Sequence, residues 1–151
     1  MKNKILLIIL LFTLAQCGYS PIYSKYNEAN FEIVINSLNG DREINNSIKL
    51  NIDRISKNNS TKKFNIEINT DYVKSILSKN KTGAISEYQL IAITDFTIND
   101  GKKIINTIIK EKITLLAETD VFKEKNYEKK IKNNFANSIS KKFLLRLSTL
   151  K

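Results

Sequence analysis

Between residues 64 and 72 apolar and polar side chains alternate: Phe64, Ile66, Ile68 and Tyr72 are interleaved with Asn65, Glu67, Asn69 and Asp71. A period of two predicts a half-buried strand, here running on through Ile76. Ser78 to Gly83 reads as a loop. A longer strand follows, with Tyr88, Leu90, Ala92, Thr94 and Phe96 on one face and Ile91 and Ile93 on the other. Asn99-Asp100-Gly101 is a hairpin signal. The next strand covers about Lys103 to Leu116 and puts Ile105, Ile109, Ile113 and Leu115 on one face.

The period changes on either side of this block. Upstream, Phe31 to Ile35 alternates and is rich in β-branched residues, so it predicts a short strand. Asn39-Gly40-Asp41 is a turn whose Asp41 can cap a helix. Ile44, Ile48, Ile52 and Ile55 then recur at helical spacing, about four turns, until Asn58-Asn59-Ser60 breaks the pattern. Downstream, Ala117 to Lys125 reads as a polar connection. Tyr127, Ile131, Phe135, Ile139, Phe143 and Leu147 follow at i, i+4 intervals, the stripe of one long helix packed on a sheet. Its other faces carry Lys129, Lys130, Lys132, Lys141 and Lys142. The predicted order is β-α-β-β-β-α: an α+β fold with two helices packed on one face of a four-stranded, mainly antiparallel or mixed sheet.

The apolar second face of the long strand, Ile91 and Ile93, predicts either a partner contact or more core. Asn65, Glu67, Asn69, Gln89 and Thr107 are read as outward polar positions.

The length, 151 residues, suits one domain with a core of its own. The formal charge of +10 suggests polyanionic partners: nucleic acid, anionic lipid or phosphorylated glycolipid. The N-terminus narrows that choice. Lys2 and Lys4 precede the apolar run Ile5 to Phe12, which is too short to span a bilayer comfortably and reads as an export signal. Leu14-Ala15-Gln16-Cys17 then resembles a lipobox, although Gln16 stands where that pattern usually has a small residue. The resemblance implies a signal peptide over 1–16 and a covalent diacylglycerol and N-acyl chain on Cys17, the chain's only cysteine. It also implies a tether over 17–30 and a domain over 31–151. More than one acyl chain gives stable anchoring. Gly18 follows the cysteine where an aspartate would imply inner-membrane retention, so the resemblance implies the outer membrane, facing the periplasm. Export removes most of the weight from a nucleic-acid partner.

No catalytic constellation is legible. The chain has no histidine, so the commonest general base and metal ligand is missing. There is no phosphate-binding glycine loop and no metal-ligand spacing. The reading is a non-enzyme without a metal or a diffusible cofactor.

Three stretches, in order, resemble the LptE family of lipopolysaccharide-assembly lipoproteins: Cys17-Gly18-Tyr19-Ser20-Pro21-Ile22-Tyr23, Glu87-Tyr88-Gln89-Leu90, and Phe143-Leu144-Leu145-Arg146-Leu147. The resemblance implies an outer-membrane lipoprotein that plugs and helps assemble an LptD-type β-barrel and binds lipopolysaccharide during its delivery. It further implies phosphate-binding basic residues in the loop before the Glu-Tyr-Gln strand, here Lys79 and Lys81. A second basic site is implied at the connection into the last helix, here Lys123 and Lys125. Lysines can pair with lipid A phosphates as point charges. The alternatives are ordinary solvated loop lysines and, for the whole chain, another small α+β outer-membrane lipoprotein. Such a pilotin or barrel-assembly accessory would act only through protein contacts.

Overall fold

The structure, a computed structural model, describes residues 31–58 and 60–150. The predicted signal peptide, Cys17 and the tether lie outside the described residues. Four strands, β1 (Phe31–Gly40), β2 (Lys62–Lys79), β3 (Ile85–Asn99) and β4 (Ile104–Leu116), form one sheet in the order β1-β2-β3-β4. β1 and β2 are parallel and joined through helix α1 (Arg42–Asp53); the other pairs are antiparallel. Helix α2 (Val121–Thr149) closes the chain. This is the expected β-α-β-β-β-α order with a mixed sheet.

Both helices lie on one face, side by side, linked by hydrogen bonds from Ser47 to Asn133 and from Asn51 to Asn137. The core sits between them and the even positions of β2 and β3. Ile66 and Ile68 of β2 lie opposite Ile98 and Phe96 of β3, Phe64, Leu90 and Ala92 belong to the same buried cluster, and Phe143 of α2 stacks on Phe96 with ring centroids 4.1 Å apart. Fully burying each large apolar side chain contributes about 1.5–3 kcal/mol. The stripe predicted for α2 is buried from Ile131 onward. It is wider than predicted, because Ala136, Ser140 and Leu144 are buried as well. Tyr127, the first residue of that stripe, is exposed, with Lys130 over its ring.

The boundaries differ from the expectation in ways with local causes. β1 runs five residues beyond Ile35, because a bulge between Ile35 and Ser37 keeps Leu38 turned inward beside Ile68. It ends at Gly40 (φ +87°), where an added Cβ would overlap the Thr70 carbonyl oxygen. α1 stops at Asp53, so Ile55 packs from the following turn. Ser78 and Lys79 belong to β2, and the loop shrinks to Asn80–Ala84. Val121 to Lys125, expected in a connection, are helical: Asp120 caps them by accepting from the Phe122 and Lys123 N–H groups. Thr107, expected to face outward, is buried beside Phe96 on the helix side. Ile91 and Ile93 are half-buried on the opposite face, where the described residues supply no second layer. They are not part of a second core.

The sheet has two distinct ends. One collects the start of β1, the 100–103 turn and the C-terminus of α2, whose Leu150 carbonyl accepts from Lys62. The other is a projecting arm. β1 ends opposite Thr70, while β2 continues for nine residues and β3 doubles back beside it. At about 3.3 Å per residue this arm extends about 30 Å past β1.

Candidate functional site

The arm positions the basic residues singled out from the sequence. Its tip is the turn Asn80–Ala84, held by one side chain: Asn80 Oδ1 accepts from the Thr82 N–H at 3.0 Å, the Thr82 hydroxyl at 2.7 Å and the Ala84 N–H at 3.0 Å. Asparagine suits this role because its short amide mimics a backbone turn. Gly83, at φ +82°, completes the turn and donates to the Asn80 carbonyl. The result is a tight loop that presents Lys81 to solvent beside Lys79, the last residue of β2. Among the described residues neither lysine has a carboxylate partner. The nearest acid along the strand pair, Glu87, accepts from the Ser78 hydroxyl at 2.7 Å.

Lys123 and Lys125 lie elsewhere. They are exposed on the first turns of α2, in a segment that also carries Glu118, Asp120 and Glu124. The start of α2 packs at the level of Lys74, whose ammonium lies 2.8 Å from Glu124. Lys79 lies five residue steps along β2 from Lys74, about 17 Å at strand rise. The four candidate lysines therefore share an end of the molecule but form no single cluster. The tip pair stands in a locally cationic setting. The helix pair stands among carboxylates that offset it.

Between the two pairs lies a closed network. Lys74 bridges Glu124 and Glu128, at 2.8 and 2.9 Å, with its ammonium over the Tyr88 ring. The Tyr72 hydroxyl donates to Glu128 at 2.8 Å. Lys132 lies over the Tyr72 ring and pairs with Asp41 at 2.7 Å and Glu43 at 3.1 Å. Burial and the bond to Glu128 push the Tyr72 hydroxyl pKa far above its usual value. Burial alone would raise Glu128, but the bonds from Lys74 and Tyr72 outweigh it and hold the carboxyl low. Burial opposes the charge on Lys74 too, and its two carboxylate partners outweigh that and raise it. Every charge in this network has a partner, and the network pins α2 to the sheet.

Composition and loop spacing did not reveal the apolar residues of this end. Val73, Ile76 and Leu77 on β2, Leu116 at the end of β4, and Val121 and Phe122 on α2 are all exposed. One signal was available: Ile76 and Leu77 are adjacent in an otherwise alternating strand. Adjacent strand residues point to opposite faces, so both cannot join one core. The arm thus combines cations with exposed apolar side chains, the chemistry that suits an anionic amphiphile.

No known protein-family profile and no curated protein sequence matches the chain. Solved structures do. The rare lipoprotein B from Shewanella oneidensis superposes with a TM-score of 0.58 at 15% identity, over 76% of this chain and 95% of that one. A putative lipoprotein from Caulobacter crescentus gives 0.55 at 11% identity, over 83% and 95%. An uncharacterized lipoprotein B from Nitrosomonas europaea gives 0.54 at 16% identity, over 79% and 86%. At these identities the likeness carries the fold: the chain is built on an architecture that bacterial lipoproteins use.

Proposed function

We propose that the chain is an outer-membrane lipoprotein of the LptE kind, anchored through acyl chains on Cys17 and engaged with an LptD-type β-barrel. In this reading it binds lipopolysaccharide through the arm and catalyses no reaction. The observation that carries the proposal is the tip. Lys79 and Lys81 lack carboxylate partners among the described residues, stand beside exposed Ile76 and Leu77, and lie at the opposite end from the start of β1. A lipid anchor at Cys17 would hold the Phe31 end and leave the arm to reach outward. Lipid A offers phosphates to the lysines and acyl chains to the apolar residues. Of the two candidate pairs, the tip pair is the primary site and Lys123 with Lys125 a secondary one.

The open face of the sheet supports the barrel partner. Asn65, Glu67 and Asn69 of β2 and Gln89 and Thr97 of β3 form a hydrogen-bonding surface with Ile91 and Ile93 among them. Large barrels have polar interiors, and such a face suits one. The fold shared with rare lipoprotein B agrees with a lipoprotein.

The test is recovery of the chain from gently solubilised outer membranes. The proposal expects it to co-purify with a large band of heat-modifiable migration and with lipopolysaccharide. Its depletion should stop lipopolysaccharide from reaching the surface. A free monomer, or a protein-secretion defect alone, would favour an accessory lipoprotein and overturn the proposal.

A further inference from the structure

The basic excess of the chain is not confined to the arm. At the opposite end, Arg54 and Lys57 follow α1, Lys62 opens β2, Lys102 and Lys103 form the hairpin turn, and Arg146 lies in the last turn of α2. The acids of this end are already engaged. Asp53 pairs with Lys49, Glu32 pairs with Lys63, and Asp100 accepts from the N–H groups of Lys102 and Lys103. No carboxylate among the described residues pairs with the side chains of Arg54, Lys102, Lys103 or Arg146. This end therefore has a net positive potential, whereas the start of α2 is balanced by its own carboxylates.

The same end exposes apolar surface. Two adjoining clefts, of about 450 and 500 Å³, run between β4 and the last turns of α2 and share Ile108 and Arg146. Ile104 is 68% exposed, Ile108 63% and Leu145 52%. Ile104 and Ile108 alternate with the buried Thr107 and Ile109 on edge strand β4 and so belong to the open face of the sheet, while Leu145 stands on the exposed side of α2. A cationic rim around exposed aliphatic side chains complements a layer of phosphate headgroups over acyl chains. The position of the chain start agrees: the thirty residues before Phe31 enter the domain at this end.

We propose that this end docks on an anionic lipid leaflet. Arg54, Lys102, Lys103 and Arg146 pair with headgroup phosphates, while Ile104, Ile108 and Leu145 enter the headgroup layer. Each lysine or arginine at an anionic surface strengthens binding about fivefold. The contact goes beyond the function proposed above and does not require acylation. Where an acyl anchor is present, its several chains already hold the protein at the membrane, and the basic surface fixes the domain with its arm away from the membrane.

The test is flotation of the full chain carrying Cys17→Ser, which removes any acyl anchor. The vesicles are phosphatidylcholine alone or phosphatidylcholine with one-third phosphatidylglycerol. The proposal expects at least about tenfold stronger binding to the anionic vesicles, lost on raising salt. Arg146→Gln with Lys103→Gln should remove most of that gain at an unchanged melting temperature. Lys112→Gln with Lys129→Gln, exposed lysines away from this end, should leave it intact. Equal binding to both vesicles would overturn the proposal, and so would equal losses in the two double variants. The N-terminal segment, with Lys2 and Lys4 before its apolar run, is the same in both double variants, so the contrast between them reads the charge of this end alone.

Discussion

Lys132 donates to Asp41 Oδ2 at 2.7 Å, while Oδ1 of the same carboxylate caps α1 by accepting from the Ile44 N–H at 2.9 Å. One aspartate thus starts one helix and ties down the other. Asp41→Ala removes an N-cap, which costs about 0.5–2 kcal/mol, and also leaves the half-buried Lys132 ammonium with Glu43, at 3.1 Å, as its carboxylate partner. Asp41→Asn keeps a capping oxygen and loses only the ion pair. Urea unfolding should therefore rank wild type above Asn and Asn above Ala. Equal losses in the two variants would mean that the cap contributes nothing.

The Lys74 network sets the pH dependence. The bond from Lys74 holds Glu124 below the ordinary carboxyl pKa of 4.5. Glu128 is also held below it, since the bonds from Lys74 and Tyr72 outweigh burial. The unfolded chain then binds more protons than the folded one in this range, so stability falls as pH drops below about 4.5. Lys74 and Lys132 lie above the ordinary 10.5, because their carboxylate partners outweigh burial. Their contribution is complete below that value and is lost only as pH rises past it. Urea midpoints should be level between the two limits. Lys74→Met should cost about 1–2 kcal/mol at neutral pH and flatten the acid decline. An unchanged acid decline in that variant would show that the network does not set it.

Gly40 and Gly83 both have positive φ, but their surroundings differ. A Cβ at Gly83 meets nothing within 4 Å, whereas one at Gly40 overlaps the Thr70 carbonyl. Gly83→Ala should cost about 1–2 kcal/mol, the left-handed penalty alone. Gly40→Ala should cost clearly more and shift the Asp41 cap, because Asp41 N–H donates to that same carbonyl at 2.8 Å. Thermal unfolding of the two variants side by side checks the order.

Phe143 and Phe96 form the stacked centre of the core. Phe143→Ala should cost about 3–5 kcal/mol. Phe122→Ala, at a side chain 73% exposed, should leave the melting temperature unchanged. A large loss from Phe122→Ala would mean that this ring packs into the fold rather than standing free for a partner.

The sheet and both helices were legible because their periods are clean. The alternation from Phe64 to Tyr72 and the four-residue spacing from Ile131 to Leu147 each admit one element. The boundaries were less legible where single side chains decide them. Asp120 turns a polar stretch into the first turns of α2, and a bulge after Ile35 lengthens β1. Thr107 misled because a hydroxyl reads as outward, yet its place opposite Phe96 puts it in the core. Lys79, Lys81, Lys123 and Lys125 were legible as basic positions at two turns. Their relative merit was not, since it depends on the arm that carries Lys79 and Lys81 past the end of β1, which follows from the sheet register. The adjacency of Ile76 and Leu77 signals that one of them lies outside the core, but the exposure of both depends on where α2 begins to cover the sheet, which no local pattern encodes.

The central claim is that the arm tip binds lipopolysaccharide. It is tested by comparing Lys79→Glu with Lys81→Glu against Lys123→Glu with Lys125→Glu, each as a double variant, in lipopolysaccharide binding by the purified chain. The expected result is a loss of at least about tenfold for the tip variant, a smaller loss for the helix variant, and melting temperatures like wild type for both. Undiminished binding by a folded tip variant would contradict it.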